Sequence, residues 1–425
     1  MIAIKGARVW TLGPQGTLED GTILIENGRV KATGTHLEIP VDATIMDATG
    51  LTVVPGFVDA HSHLGLSIQG LGAEDANEQT EQIGPQLNVL DALDPVHPTL
   101  KMSLEGGVTT SAMLPGAAMS FAQIVENITV MPGMASVLKV RATYPEVLRE
   151  KAGIKMALGD QPKRAVEEKK TSPTTRMSIM AMIRENLRAA QVYAGRRAKG
   201  DGGGIGGDLG GGIGGGVGDV GVVGSGSEAK DAKKEALVGL LERRYPAHIH
   251  AHRVRDIRLA LELKKEFGFD LVLHHATEGY LMADEIAAAG VPCAVGPLPF
   301  ARRGSELARL SLSNPAELVR AGVKVALISD FPTFPGHYLP IHAGMAHREG
   351  LPYEEALRSV TINAAEILGV AGRVGSLEAG KDADLVAFAG DPLGAMSRVK
   401  LVVASGEVVL DRTSGVAAAG KGGRA

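Results

Sequence analysis

The chain has 425 residues, enough for one large domain with an accessory module and for a sizeable buried core. A formal net charge of −4 shows no basic excess, which argues against nucleic acid or an anionic membrane surface as partner and leaves a small molecule. Cys293 is the only cysteine, so an intrachain disulfide and a thiolate metal cluster are both excluded, and any metal ligands must be nitrogen and oxygen.

The first segment, Met1 to Trp10, alternates without the charged-then-apolar layout of a signal peptide, and no run of about 18 apolar residues follows. A soluble cytoplasmic protein is expected. Residues 1–55 read as short strands, with Asn27-Gly28 a two-residue hairpin signal. The far end, 376–425, echoes them: Asp384 to Ala389 is strand-like, and Leu401 to Leu410 folds about Ser405-Gly406. The two ends are expected to form one β-sandwich flanking the middle.

Between them, 56–375 alternates short buried strands with helices, the pattern of βα units on a parallel sheet. Eight strands are predicted: Phe57 to Ala60, Val108 to Met113, Val137 to Arg141, Ile154 to Leu158, Ala247 to Ile249, Leu271 to Leu273, Pro292 to Val295 and Val323 to Ile328. Eight such runs close an α/β, TIM-like (β/α)8 barrel. Helices are predicted over Lys230 to Arg244 and Glu354 to Leu368, the latter ending at Gly369 as a cap. Residues 200–227 hold 16 glycines and read as a flexible surface insert that cannot recover its ordering entropy by burial. A phosphate cradle there is disfavoured, because no Lys-Ser or Lys-Thr pair follows.

Chemistry-bearing residues gather where apolar runs stop. His61 and His63 lie in Val-Asp-Ala-His-Ser-His-Leu, His250 in His-Ile-His-Ala-His, His275 in Leu-Val-Leu-His-His-Ala, and Asp330 in Ala-Leu-Ile-Ser-Asp-Phe. Side chains at the carboxyl ends of barrel strands converge on one mouth. His61 and His63 are two apart, so an extended strand points both rings to one side. By the same alternation, His274 and His275 point to opposite faces and only one can look into the barrel. His252 lies two beyond His250 and is a candidate substrate contact. On the fourth strand, Gly-Ile-Lys-Met-Ala-Leu-Gly-Asp offers Lys155 and Asp160. His97, His342 and His347 have no such setting and receive no role.

Together these residues resemble the amidohydrolase superfamily, nearest its imidazolonepropionase-like and prolidase-like branches. The resemblance rests on Pro-Gly-Phe-Val-Asp-Ala-His-Ser-His-Leu (55–64), His250, His275, Asp330 and Gly-Ser-Leu-Glu-Ala-Gly-Lys-Asp-Ala-Asp-Leu-Val (375–386), and covers all but the glycine insert. It implies a barrel with a composite β-sandwich and a one- or two-metal site acting on a C–N bond. Within it His61, His63 and His250 match metal ligands. His275 matches a histidine that ligates metal or contacts substrate, and is preferred to His274 because the family's Glu-His-Gly has its histidine second. Asp330 matches the aspartate that binds metal and shuttles a proton, and Lys155 a bridging lysine.

A divalent ion makes water a nucleophile near neutral pH, so a metal-dependent amide hydrolase is expected, imidazolonepropionase-like first, then a prolidase-like dipeptidase, then a ring deaminase. A non-catalytic metal-binding scaffold is the reading from another class. Zinc leads, with iron, manganese and nickel suited to the same ligands. A Ser-His-Asp hydrolase lacks its Gly-x-Ser-x-Gly elbow. After Asp330, Phe331 to Tyr338 is expected to wall the pocket, with His337 touching substrate. Arg176 is expected to clasp a substrate carboxylate through paired donors. Self-association is left open.

Overall fold

The computed structural model describes residues 1–66, 75–78, 80–116, 129–141, 143–164, 172–198, 231–299 and 306–413. The glycine-rich segment 200–227 and the final residues 414–425 lie outside the described residues.

Five strands open the chain: β1 (Ile2–Trp10), β2 (Thr17–Glu26), β3 (Arg29–Gly34), β4 (Thr44–Asp47) and β5 (Thr52–Pro55). Eight follow in the middle: β6 (Phe57–Ser62), β7 (Val108–Met113), β8 (Gly133–Lys139), β9 (Glu146–Ala157), β10 (Ala247–Ala251), β11 (Leu271–His275), β12 (Cys293–Val295) and β13 (Val325–Leu327). Three close it: β14 (Leu385–Ala389), β15 (Arg398–Ala404) and β16 (Glu407–Asp411).

The terminal strands join in one sheet, ordered β16-β15-β14-β5-β1-β2-β3 with β4 also on β1. The two ends of the chain meet at β5 and β14, an antiparallel pair running from Pro55 opposite Leu385 to Thr52 opposite Phe388. Asn27-Gly28 and Ser405-Gly406 each have positive φ at both residues, the type I′ geometry that suits a two-residue hairpin. The sheet has its own core, including Ile4, Val9, Ile23, Val53, Leu385 and Leu401.

The middle strands hydrogen-bond in sequence from β6 to β13, and β13 returns against β6 to make a nearly closed barrel. One strand departs from the expected parallel order: β8 is antiparallel to both β7 and β9, and it begins four residues earlier than predicted. The cause is the link from Lys139 to Glu146. Six residues can make a hairpin, whereas a parallel crossover needs a dozen or more. The predicted helix over 354–368 is also divided, into Tyr353–Ser359 and Ile362–Ile367. At the break the carbonyl of Val360 turns to accept from Val58 N, stitching the helix pair to the first barrel strand.

Small side chains line the barrel interior, among them Ala60, Ala112, Ala135, Ala294 and Ala326, and Ala364 and Ala365 join the same buried cluster from the last helix. Such narrow residues leave space on the axis for larger rings. Among the described residues, no helix is long and apolar enough to cross a membrane.

Candidate metal centre

Each converging side chain is set by the end of a strand. His61 lies on β6 and His63 just beyond it, while Asp330 follows β13. The two strand ends are laced together, because Asp330 N donates to His61 O at 3.0 Å and His63 N donates to Phe331 O at 3.0 Å. Beneath them Asp59 accepts from Ser329 N at 3.2 Å, His61 N at 3.3 Å and the Ser329 hydroxyl. Burial pushes the Asp59 carboxyl up to about 7 despite those donors.

Two groups of ligand-type atoms result. One joins His61, His63 and Asp330, the other His250, His252 and His275, and within each the atoms lie within 4.8 Å of one another. Asp330 Oδ1 is 3.4 Å from the Nε2 of both His61 and His63. The groups adjoin, with the His61 and His275 rings 5.1 Å apart. Lys155, fully buried on β9, places Nζ 3.1 Å from His61 Nε2.

Hydrogen bonds orient the rings. His63 Nδ1 faces Leu114 O at 2.5 Å and His275 Nδ1 faces Gly296 O at 2.8 Å. A carbonyl only accepts, so each Nδ1 carries the hydrogen and each Nε2 is left with a lone pair, the usual arrangement around a metal-binding imidazole. His252 Nδ1 contacts Thr277 Oγ1 at 2.7 Å, and its ring stacks on His275 at 4.8 Å.

His250 supplies the test of fit. It is 1% exposed, and among the described residues neither ring nitrogen has a hydrogen-bond partner. An orphaned buried polar group costs about 1–3 kcal/mol, so this imidazole calls for a partner that the described residues do not supply. A cation held by nitrogen and oxygen donors fits that vacancy of bonding.

Electrostatics prepare the same donors. Burial, reinforced by neighbouring cations and imidazoles, holds His61, His250, His252 and His274 well below the ordinary histidine range. Burial also lowers His275, to about 4, although Asp330 opposes the shift. Neutral imidazole is the form that binds metal. For Asp330 burial favours the neutral acid, but the surrounding His63, His275 and Lys155 outweigh it and hold the carboxyl below its usual value.

Three expectations need correction. His274 and His275 both face the interior: His274 Nδ1 is 2.9 Å from His61 Nδ1, and the His275 ring lies against His61, His250 and His252. Alternation fails because the strand is no longer extended there, with φ of +66° at His275 and +42° at Ala276. Arg176, expected to clasp substrate, is committed to protein carboxylates: Nε and Nη2 grip the two oxygens of buried Asp256 at 2.5 and 2.8 Å, and Nη1 holds Asp160 at 2.9 Å. His337 is carried by the helical turn Gly336–Tyr338 over Gly106 into a separate groove with Met102, Glu105 and Phe388. Phe331 likewise packs into a buried cluster with Leu64 and Leu100.

Sequence reasoning missed His248, which donates to Ala152 O and contacts His274 inside the barrel. The signal was present, since His248, His250 and His252 recur at strand period on β10 and just beyond it.

Comparison with known proteins gives a consistent picture. The sequence profile described as the amidohydrolase family matches residues 149–410. The chain is similar to amidohydrolase tasK of Hapsidospora irregularis, with 30% identity over 420 residues; these cover 92% of this chain but 41% of that protein, so the chain spans less than half of that relative's length. It is similar to the imidazolonepropionase of Symbiobacterium thermophilum at 25% identity over 385 residues, 86% of this chain and 83% of that one. Among solved structures it is similar to an amidohydrolase from Thermotoga maritima MSB8, with a TM-score of 0.84 and 34% identity over 97% of this chain and 100% of the other.

Proposed function

The chain belongs to the amidohydrolase family, and on that premise we propose that it is a metal-dependent hydrolase of a C–N bond in a small amide, with a cyclic amide like that of imidazolonepropionases as the leading substrate class. The observation that carries the reading is His250, a buried imidazole whose two nitrogens have no partner among the described residues and which lies among convergent His and Asp donors.

In this reading His61, His63 and Asp330 hold one divalent ion, and His250 and His275, with His252 beside them, hold a second or contact substrate. Lys155, with Nζ 3.1 Å from His61 Nε2, would be a further ligand. Its amine must then be deprotonated or carboxylated, because an ammonium has no lone pair. The bound cation, zinc by preference, supplies Lewis acidity that acidifies water and polarises a carbonyl. Asp330 accepts the proton of the attacking water on a carboxylate oxygen and returns it to the departing nitrogen. Its lowered pKa suits the first step, since the carboxylate is ionised at neutral pH. His252, beside His250 and His275, would orient the amide.

The test is metal content after supplementation with zinc, iron, manganese or nickel, joined to a hydrolysis screen over cyclic ureides, N-acyl amino acids and dipeptides. At least one ion per chain and turnover of one class are expected. Asp330→Asn should then lower kcat by about 10²–10⁴ while the fold is kept. A supplemented chain that holds less than one ion and hydrolyses nothing would sink the reading in favour of a scaffold.

A further inference from the structure

Below the mouth a file of imidazoles runs along the barrel. His248 Nε2 is 3.3 Å from Ala152 O, His248 Nδ1 is 2.7 Å from His274 Nε2, His274 Nδ1 is 2.9 Å from His61 Nδ1, and His61 Nε2 is 3.1 Å from Lys155 Nζ. All four side chains are buried. The barrel makes room for the file: a β-carbon on Gly153 would collide with His248 Cδ2, and β11 sets His274 directly beside Ala294 of β12.

We propose that His248 and His274 are positioning residues, through which the backbone carbonyl of Ala152 fixes the tautomer of His61 and presents its Nε2 lone pair at the mouth. The argument is one of counting hydrogens. A carbonyl only accepts, so His248 Nε2 carries the hydrogen and Nδ1 is bare. A neutral ring has one N–H, so the contact to His248 Nδ1 must be donated by His274 Nε2, which leaves His274 Nδ1 bare. That nitrogen accepts from His61 Nδ1, and His61 Nε2 is the nitrogen without a hydrogen. At the upper end Lys155 Nζ lies 3.1 Å from that bare Nε2 and can donate to it.

Reversing the file would set a bare nitrogen against the Ala152 carbonyl, which has no hydrogen to give. Asp330 Oδ1 does not change the balance: at 3.4 Å from His61 Nε2 it lies beyond the about 2.7–2.9 Å of a charge-assisted hydrogen bond. The value of the file to metal binding rests on His61 being a ligand, the reading proposed for function, whereas its tautomers do not.

The experiment uses the 425-residue chain free of metal, with ¹⁵N-labelled imidazoles, and reads two-bond ¹H–¹⁵N correlations, assigned by single histidine substitutions. Expected are hydrogens on Nε2 of His248 and His274 and on Nδ1 of His61. A hydrogen on Nε2 of His61 overturns the proposal. In His248→Leu the file loses its anchor, so His61 should acquire a population with hydrogen on Nε2 and zinc affinity should fall about 10–100-fold. Unchanged tautomers and unchanged zinc affinity in a folded variant would also overturn it. If that variant does not fold, the wild-type spectrum decides alone. Zinc uptake by the wild-type chain separates the two claims: no uptake with the expected tautomers defeats the metal reading and supports the file.

Discussion

Lys139 Nζ lies 2.8 Å from Asp384 Oδ2 with both side chains buried, so a barrel strand and the junction of the terminal sheet are joined by an ion pair shielded from water. Asp382 contacts the same ammonium and is gripped in turn by Arg373 at 2.7 Å. Removing one partner of such a network leaves a charge without compensation. Lys139→Met should lower the unfolding free energy by about 3–5 kcal/mol, read by denaturant titration. Adding Asp384→Asn should recover part of the loss, since the stranded charge goes too; strict additivity would refute the coupling.

Arg176 gives a second stability prediction. Arg176→Lys keeps the charge but loses the two-pronged grip on Asp256, so stability should fall by about 1.5–3 kcal/mol. The KM for whatever amide is turned over should stay within about twofold, because the guanidinium faces protein carboxylates. An about tenfold rise in KM with unchanged stability would return Arg176 to the substrate.

Glu306 sets a pH dependence. Burial first, then the nearby Asp160 and Asp256, raise its carboxyl from 4.5 to about 7. The native state thus binds this proton more tightly than the unfolded chain. Its stabilising contribution is complete below about pH 4.5 and is lost as pH rises through about 7, a difference near 3 kcal/mol. Glu306→Gln cannot ionise, so the drop in unfolding free energy between pH 4.5 and pH 8 should be smaller than in the wild type by roughly that amount. Parallel pH profiles for the two proteins would contradict the assignment.

Gly153 probes the space inside the barrel. Gly153→Ala forces His248 aside, so it should cost about 1–3 kcal/mol by overpacking, measured by thermal or denaturant unfolding. Retained stability would mean that the His248 ring has room to move.

Much of the fold was legible because burial leaves a periodic trace. The eight barrel strands, the Asn27-Gly28 and Ser405-Gly406 hairpins and the pairing of the two termini follow from alternation and turn chemistry, which are local. The convergence of His61, His63, His250, His275 and Asp330 was legible for a different reason: strand ends in a barrel share one face wherever they lie in the chain. The direction of β8 was harder to see, since it depends on where the strand ends and hence on a link of only six residues.

What the sequence determined by itself was which residues have the chemistry to bind a cation and which end of each strand carries them. The tertiary structure decided which partner each received. Arg176 has donors enough for a substrate, but folding brought Asp256 and Asp160 to it first. His274 looked excluded from the interior until positive φ at His275 broke the alternation, and His248, which the sequence reading missed, reaches His61 through His274 because Gly153 leaves its ring room. Periodicity reports the face on which a side chain lies; hydrogen bonds between distant strands depend on backbone angles and on the volumes opposite, which no single segment encodes.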